Sequence, residues 1–271
     1  MKSFRPLITA AAVLAAATCG NAHAALTAFQ TFVGHYGVST DGWGSTTQAG
    51  SIQASVPLGA TVKAAYLYSS TNSSATSASG SLAGTAVSYS TALGAVTDST
   101  SLQAFRADVT SIVKPRVDGG VGGVYNFTIT ENSFNQDGSA LVVVYELASL
   151  ATSTVGILDG FALTAGDSTA INFATPLNTS APGFFAEMRL GIGFSFDDTC
   201  SSGSQTSSVR VNSTLITSNA GCNDDSADSS PGNGNLITVG GFDDAFSGPL
   251  SSLANDHERY NLVANIANGS T

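Results

Sequence analysis

Residues 137–161 read Asp-Gly-Ser-Ala-Leu-Val-Val-Val-Tyr-Glu-Leu-Ala-Ser-Leu-Ala-Thr-Ser-Thr-Val-Gly-Ile-Leu-Asp-Gly-Phe. Positions 141–145 are apolar in succession. Because successive side chains of a β-strand point to opposite faces, both faces of this strand must be covered, which predicts a central strand. Val155, Ile157 and Phe161 follow a turn rich in Ser and Thr, and they predict the neighbouring strand.

Further strands are predicted wherever short apolar or alternating segments lie between turns rich in Gly, Ser and Asn. These segments cover residues 26–33, 51–56, 61–69, 85–91, 102–106, 123–131, 170–174, 184–196, 207–216 and 236–239. In the third segment we expect the even-numbered residues from Val62 to Tyr68 on one face and the odd-numbered residues on the other. The segment 207–216 predicts a hairpin that turns at Asn212-Ser213.

Turns and helix are predicted in few places. Glycines indicate turns at residues 34–37 and 41–44, and a run of small polar residues indicates an exposed loop at 71–80. One helical turn is predicted from Val109 to Val113, with Asp108 as its cap and Pro115 as its end.

A chain dense in strands and poor in helix predicts an all-β fold of jelly-roll or β-sandwich units. The length favours two such units in tandem, which we place at residues 25–147 and 148–271. A weak similarity between residues 106–113 and 259–266 suggests equivalent positions in the two units.

Residues 1–24 have the pattern of an export signal. Lys2 and Arg5 precede an apolar run from Leu7 to Thr18, and Ala22-His23-Ala24 is a small-x-small cleavage site. A run of about a dozen apolar residues is too short to cross a bilayer core, which needs about 20. We therefore expect a secreted protein, extracellular or at the cell surface, whose mature chain begins near Ala25 and has no transmembrane helix.

The mature chain is strongly acidic. Once Lys2 and Arg5 are removed, seven basic residues face 19 acidic ones, a net charge of −12. Nucleic acid is excluded as a partner, because a phosphate backbone requires clustered Lys and Arg. Charged residues are only 10% of the chain, so Ser, Thr, Asn and Gly must supply the polar surface, as in many secreted β-proteins.

Cys200 and Cys222 are the two cysteines that remain after cleavage of the signal. An oxidising compartment favours a disulfide between them, which would stabilise the fold by about 3 kcal/mol on the chain-entropy model. Two free thiols are the alternative.

Acidic residues cluster in three segments of the second half. They are Asp197 and Asp198, then Asp224, Asp225 and Asp228, then Asp243 and Asp244. Calcium binds six to eight oxygens, which loops rich in Asp, Asn and Ser supply. Because the spacing lacks the EF-hand pattern, solvated turn residues are favoured over a calcium site.

Residues suited to catalysis are few. The mature chain has two histidines, His35 and His257, and no Gly-x-Ser-x-Gly motif. Glu187 and Arg189, two residues apart, are either a catalytic pair or, as we favour, an ion pair worth under about 1 kcal/mol. Trp43 is either a sugar platform or a plug at the end of the sandwich, which we favour. The inventory favours a protein that is not an enzyme.

Several motifs together carry a resemblance to a known family. They are Asp108-Val109-Thr110, Tyr125-Asn126-Phe127, the run from Asp137 to Glu146, Leu158-Asp159-Gly160-Phe161, the run from Leu236 to Asp244 and the run from Asp256 to Leu262. Together they resemble secreted bacterial surface proteins that exosortase sorts through a C-terminal Pro-Glu-Pro tail. The resemblance implies an envelope or matrix protein on a β-scaffold. The chain ends at Asn268-Gly269-Ser270-Thr271 without this tail, so we expect a truncated or a released product.

These observations favour a secreted cell-surface or matrix protein that acts by adhesion or assembly. Its partners would be extracellular polysaccharide or other surface proteins, and an unpaired sheet edge would allow self-assembly. The alternatives are a calcium-assisted carbohydrate-binding module and a hydrolase of extracellular polymer.

Overall fold

The computed structural model describes residues 26–43, 47–72, 75–95, 102–162, 166–173, 175–193, 207–220, 237–239, 246 and 258–271. The strands are β1 (Thr27–Gly34), β2 (Tyr36–Trp43), β3 (Ala49–Val56), β4 (Thr61–Thr71), β5 (Ser79–Leu82), β6 (Thr85–Ser88), β7 (Thr91–Ala95), β8 (Gln103–Asp108), β9 (Gly123–Glu131), β10 (Gln136–Glu146), β11 (Ser153–Asp159), β12 (Glu187–Arg189), β13 (Gly191–Gly193), β14 (Ser207–Val211), β15 (Thr214–Ala220), β16 (Ile237–Val239) and β17 (Arg259–Asn261). An α-helix, α1 (Thr110–Val117), and a 3-10 helix (Val263–Asn265) complete the described elements. The predicted all-β sandwich is confirmed.

Three antiparallel layers form the body of the sandwich. The middle layer is a five-stranded sheet in the order β2-β10-β4-β8-β7, and a four-stranded sheet in the order β3-β9-β5-β6 covers its inner face. The ribbon, formed by β1 and β11, covers its outer face. Two cores result: an inner core between the two large sheets and an outer core beneath the ribbon.

β10 is central, as predicted. It pairs with β2 on one side and with β4 on the other. Leu141 and Val143 lie in the inner core, whereas Val144 lies in the outer core, and all three have 0% exposed area. The unbroken apolar run is therefore explained by the two cores that it separates.

The predicted neighbour of β10 was wrong. β11 pairs with β1 and not with β10. The apolar residues Val155 and Ile157 pack with Phe32 against the outer face of the five-stranded sheet, so that they cover β10 without pairing with it. The ribbon joins strands on both sides of the predicted boundary between residues 147 and 148, and that boundary stays a prediction.

The predicted faces of β4 are correct except at Val62. Tyr66 and Ala64 lie in the outer core, whereas Leu67, Ala65 and also Val62 lie in the inner core. The pairing of β10 with β4 shifts register between Val144 and Tyr145, so that Lys63 is passed over. This bulge moves Val62 to the opposite face from the one that strict alternation predicts.

Three predicted local structures were wrong. The predicted turns at 34–37 and 41–44 overlap strand β2, the described part of the predicted strand 170–174 is irregular, and Thr71 and Ala78 of the predicted exposed loop are buried. β2 is stabilised by packing and pairing that its small polar residues do not reveal. Two of those residues form hydrogen bonds with the edge of β3. The carboxylate of Asp41 accepts from the N–H of Gln53 at 2.6 Å, and the hydroxyl of Ser39 accepts from the N–H of Ser55 at 2.9 Å.

The predicted helical turn is longer than expected. α1 continues through Pro115 and ends at Val117. Proline removes one helical hydrogen bond, and this loss is tolerated because Ile112, Val113 and Val117 are buried in the inner core. The predicted cap was wrong, because the N-cap residue is Val109, which makes no side-chain capping bond. Asp108 lies one position earlier and accepts from the N–H of Thr110 at 2.9 Å.

Two further local predictions are confirmed. The hairpin of β14 and β15 turns at Asn212 and Ser213, whose φ angles of 47° and 68° belong to a type I′ turn. Trp43 is a plug, 3% exposed in the inner core. A Cβ on Gly50 would lie 2.0 Å from the indole nitrogen of Trp43, so only glycine fits at position 50.

Candidate functional site

A cleft of about 370 Å³ opens where the ribbon meets the edge of the five-stranded sheet. The residues that line it belong to β1, β7, β8 and the end of β11: Thr27, Ala28, Phe29, Thr91, Ala92, Leu93, Arg106, Asp159 and Gly160. Two layers of the sandwich thus contribute side chains to one concave surface, as ligand sites commonly do.

The register of the strands places the charged residues of the cleft. Arg106 lies opposite Tyr68 of β4 on one side and Thr91 of β7 on the other, so these three side chains form a row across the sheet. Asp159 lies opposite Thr27 at the end of the ribbon. The ribbon therefore brings a carboxylate directly over the row.

An ion pair between Arg106 and Asp159 forms the floor of the cleft. The side chains are only 12% and 11% exposed. The hydroxyl of Tyr68 donates to Oδ2 of Asp159 at 3.1 Å, and the same oxygen accepts from the guanidinium of Arg106. The guanidinium carbon lies 3.3 Å from the centroid of the Phe29 ring, a cation–π contact. The carboxylate of Asp159 is thus bound by Arg106 and Tyr68, and the guanidinium of Arg106 by Asp159 and the ring of Phe29.

The tyrosines beneath the ribbon are held in their neutral form. Burial raises the pKa of Tyr68 well above its ordinary value, and the negative charge of Asp159 raises it further, while Arg106 opposes the shift in part. Burial and the charge of Asp108 likewise raise the pKa of Tyr66. Both hydroxyls therefore remain hydrogen-bond donors at neutral and moderately alkaline pH.

The cleft combines hydroxyl groups, a neutralised ion pair and apolar walls. Thr27 and Thr91 supply hydroxyls, and Phe29 and Leu93 supply apolar surface. Such a surface offers hydrogen bonds to a polar ligand without a net charge. It suits an uncharged ligand that has hydroxyl groups and a partly apolar face.

The predicted site residues are only partly described. Asp197, Asp198, Asp224, Asp225, Asp228, Asp243, Asp244, Cys200, Cys222 and His257 lie outside the described residues. The calcium site and the disulfide stay predictions. Within the described part of the chain, no group of three or more His, Cys, Asp or Glu could hold a metal ion.

Glu187 and Arg189 form the predicted ion pair, with 3.1 Å between Nε and Oε1. Arg259 binds the other carboxylate oxygen at 3.0 Å, and Arg189 also donates to Thr40 of β2 at 3.1 Å. The three side chains join β12 and β17 to the edge of the five-stranded sheet. His35 also has a structural contact, because its Nδ1 lies 2.6 Å from the carbonyl oxygen of Leu150.

The sequence did not predict the roles of Arg106 and Asp159 in the cleft. They are 53 positions apart, and their proximity depends on the ribbon, whose pairing was predicted wrongly. One signal was available for Asp159, which is a single charge at the end of an apolar segment, where an unpaired charge would be costly.

Comparison with known proteins finds no family model, no curated protein and no solved structure that matches the chain. Across the described residues, no helix has the length and apolar character required to cross a membrane.

Proposed function

We propose that this chain is a secreted β-sandwich protein of the cell surface or extracellular matrix, and that it acts by adhesion to polysaccharide. The cleft between the ribbon and β7 is the proposed contact. The observation that carries the proposal is the Arg106–Asp159 pair on the floor of an open cleft, beside an aromatic ring.

Sugars require both donors and acceptors, together with an apolar surface for their C–H groups. Arg106 and the threonine hydroxyls offer donors, and Asp159 and the hydroxyls offer acceptors. Phe29 and Leu93 supply the apolar surface. All of these groups lie within one cleft, so one sugar unit can contact several of them at once.

The chemistry of the cleft favours a neutral polysaccharide. Arg106 and Asp159 cancel each other's charge, and the mature chain is predicted to carry a net charge of −12. An acidic polymer would be repelled over long range at low ionic strength. Weak affinity per site is expected, which an adhesion protein offsets by binding many copies along a polymer.

The test is binding of residues 25–271 to a glycan array, followed by calorimetry with the polysaccharides retained. Thr91→Trp fills the cleft from β7 and should reduce the affinity at least about tenfold. Thr85→Trp is the matched control, because Thr85 is an exposed threonine that also begins an edge strand, β6 of the four-stranded sheet. It should leave the affinity unchanged.

Other results would select the alternatives. Binding that Thr91→Trp leaves intact would reject the cleft as the contact. Binding abolished by a chelator would favour the calcium-assisted module, and release of shorter saccharides would favour the hydrolase.

A further inference from the structure

A cluster of polar side chains is buried at one end of the inner core. The members are each 6% exposed or less, and they lie on β4, β9, β10 and the segment after β6: Ser69, Thr71, Tyr89, Glu131, Gln136 and Ser139. Leu67 and Ile129, two positions before Ser69 and Glu131 on their strands, belong to the apolar part of the same core. We call these six residues the polar cluster. Burying so many polar groups is costly unless they bond to one another or serve a chemical role.

Tyr89 connects the members of the polar cluster. Its hydroxyl lies 3.3 Å from Oγ of Ser139. Burial raises the pKa of Tyr89, the hydrogen bond with Ser139 opposes part of this shift, and the charge of Glu131 adds to it. The carboxylate of Glu131 therefore lies near enough to act on the other polar groups of the cluster.

Thr71 and Gln136 are partners across the central pair of strands, β4 and β10. Side chains of such partners lie on the same face, with Cα atoms about 4.5–5.5 Å apart. The register shifts between Gln136 and Ser139, where Gly138 has a φ of +86°, so that this bulge turns both side chains into the inner core. Thr71 is 0% and Gln136 2% exposed, which keeps bulk water away from both.

The carboxamide of Gln136 is bound through its oxygen. Oε1 accepts from the N–H of Ser79 at 2.9 Å, whereas the buried Nε2 has no hydrogen-bond partner within the described part of the chain. A backbone N–H on the carbonyl oxygen makes the carbon more electrophilic and stabilises negative charge that develops on the oxygen. The amide of Gln136 is thus prepared for attack at Cδ, and no hydrogen bond among the described residues holds its nitrogen.

Thr71 carries the hydroxyl opposite this carboxamide. It donates to the carbonyl oxygen of Ala75 at 2.9 Å. A hydroxyl oxygen keeps its lone pairs while it donates, so it remains a nucleophile. Glu131 lies opposite Gly80 of β5, the residue after Ser79, and its carboxylate is a group that can accept and return a proton.

We propose that Thr71 and Gln136 form an intramolecular ester between Oγ1 and Cδ. Oγ1 attacks Cδ, the Oγ1–Cδ bond forms, and the Cδ–Nε2 bond breaks. Glu131 carries the hydroxyl proton to Nε2, which leaves as ammonia, so the step needs no oxidant and no other reactant. The link has one atom more than a disulfide, which bridges Cα atoms about 5.5–6 Å apart.

Such an ester would remove the buried amide nitrogen and join β4 to β10 in the middle of the five-stranded sheet. It would close the chain between two positions that are distant in sequence, as a disulfide does. It is independent of the polysaccharide cleft.

The test is the mass of residues 25–271, reduced and denatured, followed by digestion with trypsin. We expect a mass lower than that of the sequence by one ammonia. Trypsin cleaves after Lys63, Arg106, Arg116 and Arg189, so Thr71 and Gln136 fall in separate peptides, 64–106 and 117–189. The ester should join these two peptides, and hydroxylamine should separate them, because it cleaves esters under conditions that leave amides intact.

Variants identify the reacting groups. Thr71→Val removes the nucleophile and should abolish both the joined peptides and the loss of ammonia, with a melting temperature lower by about 10 °C. Thr71→Ser keeps a hydroxyl and should keep the joined peptides. Glu131→Gln should reduce their yield severalfold, and an unchanged yield would overturn its role in proton transfer.

The matched control is Gln103→Ala. Gln103 of β8 is the partner of Thr71 on its other side, and it lies in the same tryptic peptide as Thr71. This variant should keep the peptides 64–106 and 117–189 joined. A parent mass equal to that of the sequence, a loss of ammonia without joined peptides, or joined peptides in Thr71→Val would each overturn the ester. The measurement on the parent is made after denaturation, so it does not depend on whether a variant folds.

Discussion

The hydroxyl of Tyr68 joins two layers of the sandwich, because Tyr68 lies on β4 and its partner Asp159 lies on β11. Arg106 binds the same carboxylate oxygen from β8. A single carboxylate therefore connects three strands. Removing one donor weakens the attachment of the ribbon without creating a large cavity.

Tyr68→Phe should lower the free energy of unfolding at neutral pH by about 1–2 kcal/mol, since a buried acceptor loses a donor. The raised pKa of Tyr68 also links stability to pH. A tyrosine whose pKa is raised in the folded state stabilises fully below the pKa of the unfolded chain, about 10, and loses this effect as pH rises further. Urea unfolding between pH 7 and about 11 should thus show a shallower alkaline decline in the variant. An identical decline in both proteins would contradict the assignment.

Single residues were predictable only where their neighbours in sequence decide their environment. Trp43 was correctly predicted as a plug, and the ion pair of Glu187 and Arg189 lies within one short strand. Arg106 and Asp159 meet through the pairing of distant strands. No local pattern contains that information.

β10 separates two cores, and both depend on its side chains. Leu141 faces the four-stranded sheet and Val144 faces the ribbon. Shortening a side chain on either face of β10 should therefore lower the free energy of unfolding.

Leu141→Ala should lower the free energy of unfolding by about 2–5 kcal/mol, and Val144→Ala by a somewhat smaller amount, because each leaves a cavity in a closed core. Val124→Ala, a substitution at a half-exposed strand position, should change it by about 0.5 kcal/mol or less. Chemical denaturation of the three variants measures these differences. A negligible effect of Val144→Ala would show that the ribbon does not seal the outer face.

Elements were predicted well where apolar residues alternate or run together, as in β9, β10 and the hairpin of β14 and β15. β2 was missed because its sequence of small polar residues and glycines is typical of turns, whereas its pairing with β10 decides its structure. The repeat predicted at 106–113 and 259–266 stays a prediction. Asp108 and Asn261 each accept from the N–H two residues later, at 2.9 and 3.0 Å, but Asn178 makes the same bond outside the predicted repeat.

The four-stranded sheet and the ribbon cover the two faces of the five-stranded sheet and so stabilise the sandwich. The ribbon belongs to this body although its second strand follows the predicted boundary between residues 147 and 148. A cut at that boundary would therefore remove one strand of the outer layer.

A chain of residues 26–147 should be less stable than one of residues 26–162 by at least about 3 kcal/mol, because it lacks the buried Ile157 and the Asp159 carboxylate. It should also bind a dye specific for exposed apolar surface, since Phe32 and Tyr66 lose their cover. Thermal unfolding and dye fluorescence compare the two chains. Equal stability of the two chains would support the predicted boundary between residues 147 and 148.

The ribbon also decides how the protein would respond to a pulling force. Thr27 and Asp159 are partners in register, so the chain enters β1 and leaves β11 at the same end of the ribbon. Tension applied through these two segments would separate the strands like a zipper, one hydrogen bond after another, and would not shear them all at once. At that end Asp159 is bound to the five-stranded sheet by Arg106 and by the hydroxyl of Tyr68. These bonds would carry the load first, and their rupture would set the force at which the outer layer begins to peel.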